Sequence, residues 1–130
     1  MIKKTKWLIK EASLRVKYMT SKDCIFCKIV NGEIKSKILT ENERVIAIND
    51  VNPVAKVHVL IFPKKHIDSV LTIDVSDGDI LVDMFDLAKN LVYKMNLEAF
   101  RITFNGGKFQ HVGHLHMHLL AGSKIEWGRL

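Results

Sequence analysis

Three histidines, His114, His116 and His118, alternate with Leu115, Met117 and Leu119 in the stretch VGHLHMHLLA at 112–121. On a β-strand successive side chains point to opposite faces, so this pattern puts three imidazoles on one face and the apolar residues on the other. A dry core is a poor place for such a row, because each ring nitrogen buried without a partner costs about 1–3 kcal/mol. Three uses remain: the wet face of an edge strand, a metal triad with a position open to water, or nucleophilic catalysis. In the last, a neutral imidazole with one nitrogen held attacks with the other, while its neighbours donate to oxygens on which charge develops. The spacing alone does not separate metal from nucleophile. The surroundings point to an anionic substrate. Gly113 permits close approach beside the strand, and Asn105, Gly106, Gly107 and Gln110 form a turn with amides suited to an anion. Asp50, just after a strand ending at Ile48, can accept two hydrogen bonds from a ribose diol.

A second chemical pair lies near the other end of the chain. Cys24 and Cys27 form a C-x-x-C, the spacing of a zinc half-site, which needs two more ligands. The alternative is two reduced thiols packing apolar surface beside Ile25 and Phe26. No βαβ pattern surrounds the pair, which argues against a thioredoxin-like redox role.

The elements that must carry these residues follow from periodicity. Residues 24–35 form a short apolar segment that ends in a hairpin-type turn at Asn31-Gly32. Ile38-Leu39 and Val45 to Ile48 are strands about the polar turn 41–44, and Pro53 pushes Asn52 out of helical space. Val57 to Phe62, rich in branched residues, is a central strand ended by Pro63. Residues 65–71 are a turn with a short helix. Ser76 and Asp77 cap a helix from Asp79 to Met95, in which Ile80, Leu81, Met84, Leu87, Ala88, Leu91 and Val92 recur at spacings of three and four. Phe100 to Phe104 and 112–121 are the last strands. Strands, a long helix, then two more strands predict an α+β fold with a mainly antiparallel sheet of about five strands.

The chain has 130 residues, 48% of them hydrophobic, which suits one domain with a real core. No apolar run approaches the roughly 20 residues of a membrane span. The net charge of +6 favours anionic ligands, but it is uneven. Residues 1–22 hold Lys3, Lys4, Lys6, Lys10, Arg15, Lys17 and Lys22 against Glu11 alone. Residues 1–20 are therefore set apart as a basic extension from a single domain over 21–130. Three readings of the extension stand open: an extra helix, a basic surface-binding helix, or a start site placed upstream of a true start at Met19. It lacks the apolar core and cleavage site of a secretory signal. With only two cysteines, a reducing compartment, the cytoplasm, is expected.

Taken together, HLHMHLL at 114–120, DCIFCKIVNGEI at 23–34 and VIAINDVNPVAKVHVLIFPKKHI at 45–67 resemble the histidine triad superfamily, and within it the Hint-like branch of purine nucleoside phosphoramidases. The resemblance covers about residues 23–122. It implies that His116 attacks the α-phosphorus of a purine nucleotide and carries a nucleotidyl intermediate, and that water then releases a nucleoside monophosphate. It implies that the carbonyl of His114 holds the other nitrogen of His116, that His118 contacts phosphate and assists the leaving group, and that His58 supports the site from beneath. Asp50 would bind the ribose, Ile48 and Val51 would lie near the base, and Asn105 and Gln110 would line the phosphate site. The resemblance also implies a zinc ion held by Cys24, Cys27, His66 and His114, a homodimer whose sheets join, and no specific nucleic-acid or membrane partner. Dinucleoside polyphosphate hydrolysis and a non-catalytic nucleotide-binding module are the alternatives. The chain departs from the branch in two places. His111 stands where many members have serine, next to the departing group, and the tail after Gly122 keeps Trp127 but lacks a proline-rich ending.

Overall fold

The computed structural model describes residues 23–122. The basic extension at 1–20 and the tail with Trp127 lie outside them. The described chain opens with a helix, α1 (Ile25–Val30), running into Asn31-Gly32, the pair expected from the sequence to make a hairpin-type turn. The Cys24 side chain accepts a hydrogen bond from the Cys27 amide and caps the first turn. Gly32, at φ 77°, stops the helix. Its N–H reaches Ile29 O at 3.1 Å, and the Glu33 N–H reaches Lys28 O at 2.8 Å, a Schellman closure. A glycine with positive φ serves a hairpin turn and a helix stop equally well, so Asn31-Gly32 could not distinguish them.

Strands β1 (Ile38–Glu41), β2 (Val45–Asn49), β3 (Val57–Pro63), β4 (Phe100–Thr103) and β5 (Met117–Ala121) form one antiparallel sheet in the order β1-β2-β3-β5-β4. The β1–β2 turn is closed by Asn42, whose side-chain oxygen accepts from the Arg44 and Val45 amides. β3 lies at the centre, as its branched run, apolar but for His58, requires, and it is buried on both faces. One face, with Val45, Ala47, Val59, Ile61, Met117 and Leu119, packs against Met84, Leu87, Ala88 and Leu91 of the long helix α2 (Gly78–Lys94). The other, with Ile46, Ile48, Leu60 and Phe62, lies under Phe26, Cys27 and Ile29 of α1, where Phe26 and Phe62 stack at 4.3 Å. Leu60 pairs with His118, so His118, and His58 two residues before Leu60, belong to this second face.

Three expectations are corrected. The last strand begins at Met117, not 112, because β3 ends in Pro63, which has no N–H to extend the ladder beyond the pair Ile61–Met117. The stretch before it is anchored instead by Leu115 N–H donating to Ile67 O at 2.6 Å. The short element after β3 is a 3₁₀ turn at Val70–Thr72. Ser76 and Asp77 do not cap α2 with their side chains. Both belong to a 3₁₀ turn, Val75–Asp77, where the buried Asp77 carboxylate accepts from the Asp74 amide and from Lys65 Nζ.

Candidate active site and candidate metal centre

His116 sits on the irregular step into β5, 7% exposed, with the Phe26 ring edge-on at 5.3 Å. Its Nδ1 lies 2.7 Å from His114 O. A carbonyl only accepts, so Nδ1 carries the proton and Nε2 is left with a lone pair. Burial lowers the pKa of His116 against the opposing pull of that carbonyl bond, which keeps the ring neutral. A neutral imidazole with its distal nitrogen unprotonated is the form that attacks an electrophile.

His118, the second residue of β5, lies beside it at a ring separation of 4.9 Å. Its Nδ1 is 2.9 Å from His58 Nε2, and its Nε2 is 3.5 Å from the Asn105 amide. Burial, then the neighbouring His116 and His58, push its pKa down to about 4. His58, on β3, accepts at Nδ1 from the Val54 amide at 3.1 Å. Asp50 Oδ2 stands 3.3 Å from His58 Nε2, while Oδ1 accepts from the Asn52 amide at 2.8 Å. His58, too, has its pKa lowered by burial.

His114 departs from the row. It is fully buried and points away from the other two into the cysteines, so the three imidazoles do not share one pocket. Its Nδ1 is 3.2 Å from Cys24 Sγ and 3.6 Å from Cys27 Sγ, and Cys27 Sγ is 3.2 Å from His66 Nδ1. The four donor atoms all lie within 4.8 Å of one another, and the thiols are unbridged. The donor set fits a metal by its hydrogen bonding. His114 Nε2 donates to Pro63 O at 2.8 Å and His66 Nε2 meets Asp68 Oδ1 at 2.7 Å, so both rings turn an unprotonated Nδ1 toward the sulfurs. Two thiolates and two imidazoles within this reach are a closed tetrahedral set of the kind zinc takes. His116 belongs to neither metal-capable group among the described residues, which goes against the reading of a metal on the triad itself.

The other expected residues are scattered by environment. Ile48 is buried beneath α1, whereas Val51 is 89% exposed. Asn105 reaches His118. Gln110 spends its amide hydrogens on Asp68 O and Val112 O, at 2.8 and 2.9 Å, leaving only its oxygen to face a ligand. His111 is exposed and near enough that its charge lowers the pKa of both His116 and His118. The sequence reading missed the Val54 amide, Phe26 and Asp68. Asp68 was findable from its place two residues after His66, but the other two carry no sequence signal, since they act through a main-chain N–H and through packing.

An antiparallel α+β sheet carrying this histidine cluster defines a class, and comparison with known proteins agrees. Residues 23–128 match the family model described as scavenger mRNA decapping enzyme C-term binding. A HIT-like protein of Methanocaldococcus jannaschii, described as uncharacterized, is 38% identical over 102 residues, 75% of this chain and 77% of that protein. The adenosine 5'-monophosphoramidase HNT1 of Saccharomyces cerevisiae is 39% identical over 99 residues, 75% of this chain and 61% of that one. A HIT family hydrolase from Clostridium thermocellum superimposes with a TM-score of 0.78 at 43% identity, covering 85% of this chain and all of that one. A histidine triad protein from Clostridium difficile gives 0.77 at 43%, with 82% and 96% covered. The chain belongs to the HIT-like, or histidine triad, family.

Proposed function

We propose that this protein is a nucleotide hydrolase that cleaves nucleoside phosphoramidates to nucleoside monophosphates through a nucleotidyl-histidine on His116. The observation that carries the reading is the His116 Nδ1–His114 O bond of 2.7 Å, which leaves Nε2 unprotonated in a buried, neutral ring. Nε2 attacks the α-phosphorus, the phosphorus–nitrogen bond breaks, and the departing amine takes the Nε2 proton of His118, which the water attacking in the next step returns. Water then attacks phosphorus and releases the nucleoside monophosphate with His116 restored. His118 donates to a phosphoryl oxygen, Asn105 lines the same site, and Asp50 takes the ribose with Val51 and Ile48 toward a purine. His114 contributes its carbonyl, not its ring. The names of a monophosphoramidase and a HIT family hydrolase among its relatives support the hydrolase class.

Cys24, Cys27, His66 and His114 would hold zinc as a structural ion that ties α1 to the segment leading into β5. A homodimer is supported by β4, an edge strand, and by the apolar groove beside it, where Val82, Phe85, Tyr93 and Phe100 are exposed. A reducing compartment suits two unbridged thiols. Among the described residues no helix is long and apolar enough to cross a membrane.

Purified protein should convert adenosine 5'-phosphoramidate to AMP, and mass spectrometry after brief exposure should find a nucleotide adduct on the 111–118 peptide. His116→Ala should fold but lose on the order of 10⁴-fold in kcat. Full activity in that variant removes the mechanism. Rates on a dinucleoside polyphosphate, measured alongside, decide between the two substrate classes.

A further inference from the structure

Asp50, His58 and His118 bring their ligand atoms within 4.8 Å of one another, a grouping that on distance alone suits a metal. The hydrogen bonding gives it a different use. A main-chain N–H can only donate, so the Val54 amide, 3.1 Å from His58 Nδ1, fixes a lone pair on that nitrogen. Neutral His58 therefore holds its one proton on Nε2 and has no lone pair there for a cation. The same proton faces His118 Nδ1 at 2.9 Å. Two ring N–H groups cannot meet at that distance, so His118 Nδ1 is an acceptor and His118 carries its proton on Nε2, 3.5 Å from Asn105 Nδ2; that nitrogen also only donates, so this tautomer requires Asn105 to turn its side-chain oxygen toward His118. One backbone amide thus sets the tautomers of two rings in series, and His118 is prepared as a donor.

The His58 proton also has a competitor. Asp50 Oδ2 lies 3.3 Å from the same Nε2, while Oδ1 is occupied by the Asn52 amide. A single proton is thus shared between a carboxylate and an imidazole. We infer that His58 couples ribose recognition to the phosphate site: ribose hydroxyls donating to Asp50 occupy the carboxylate and commit the His58 Nε2 proton to His118. Donation into His118 Nδ1 polarises that ring and makes its Nε2–H a stronger donor to a phosphoryl oxygen. His58 is a positioning residue that touches no substrate atom. The sugar hydroxyls then contribute to the rate of the chemical step as well as to binding. The inference rests on the assignment of Asp50 to the ribose in the reading above.

The test crosses substrate with enzyme. Adenosine 5'-phosphoramidate and its 2',3'-dideoxy analogue are compared on wild type, His58→Phe and His58→Gln. In wild type, removing the hydroxyls should lower kcat by about fivefold or more in addition to raising KM. In His58→Phe, slower throughout, the dideoxy loss should be confined to KM. His58→Gln, whose amide can still donate near the Nε2 position, should keep part of the kcat loss. An equal kcat loss in wild type and His58→Phe, or a wild-type loss in KM alone, overturns the coupling. Should His58→Phe fail to fold, ¹⁵N-histidine NMR of the wild type decides. His118 should be the Nε2–H tautomer, and its Nδ1 should shift on adding AMP but not dideoxy-AMP. Identical shifts overturn the coupling, and an Nδ1–H tautomer does the same. Absence of any turnover by wild type sinks the hydrolase reading, while the NMR result still judges the coupling.

Discussion

His114 and His118 stand four residues apart in one segment and have opposite surroundings. His114 is fully buried, its Nε2 on a backbone carbonyl and its Nδ1 among two sulfurs. His118 is half-buried, held at Nδ1 by His58, with its Nε2 beside the Asn105 amide. Both have pKa values lowered to about 4, with burial as the largest cause, so protonation does not distinguish them. What distinguishes them is which nitrogen is left over and what it faces. In His114 the spare lone pair looks into a closed donor set. In His118 the spare group is a proton beside an amide that can line a phosphate site. An identical side chain is placed to serve as a ligand at one end of the row and as a donor at the other, because neighbours from other elements take the remaining nitrogen.

The contrast can be broken from either end. The largest effect after loss of His116 is expected at the open end. His118→Ala should lower kcat by about 10²-fold or more while leaving bound metal and melting temperature near wild type. Steady-state kinetics with a metal assay checks this. At the closed end the pattern should invert: Cys27→Ser should lose the metal and lower the melting temperature by about 5 °C or more, with kcat reduced less than in His118→Ala. Metal analysis and a thermal melt read it, and metal retained in full would detach the cysteines from the site.

Acid should sharpen the comparison. His118 titrates at about 4 in the folded chain against 6.5 unperturbed. The unfolded chain therefore binds the proton first, so this contribution to stability is present above about pH 6.5. It is lost progressively as pH falls toward 4. Denaturant unfolding of wild type between these values should show stability falling with pH, and His118→Gln should flatten that slope. The smallest effect should come from Gln110→Leu, which removes two hydrogen bonds to backbone carbonyls at the edge of the site. About 1–2 kcal/mol of stability should be lost, read by the denaturation midpoint, with little change in metal content.

Much of this architecture was readable in advance. Val57 to Phe62 announced a central strand by its branched run, apolar except for His58, and the 3.6-residue spacing from Ile80 to Val92 placed α2 to within a residue at each end. The failures fall where one local signal admits two structures. Gly32 closes a helix or a hairpin with the same φ, and alternation at 112–116 describes a strand only if a partner strand extends that far. Pro63 ends that partner, so the two leading histidines lie outside the ladder.

By itself the sequence determined which residue types were present in what order: the alternating histidines, the C-x-x-C, His66 after the central strand, and Asp50 after β2. These follow from local periodicity and spacing, which need only the chain's own geometry. Only the tertiary structure decided how the imidazoles divide their labour. The tautomer of each ring is set by a partner distant in sequence or by a main-chain group: Pro63 O for His114, His114 O for His116, and the Val54 amide acting through His58 for His118. A proton's location depends on what lies within 3 Å of it, and no spacing along the chain encodes that.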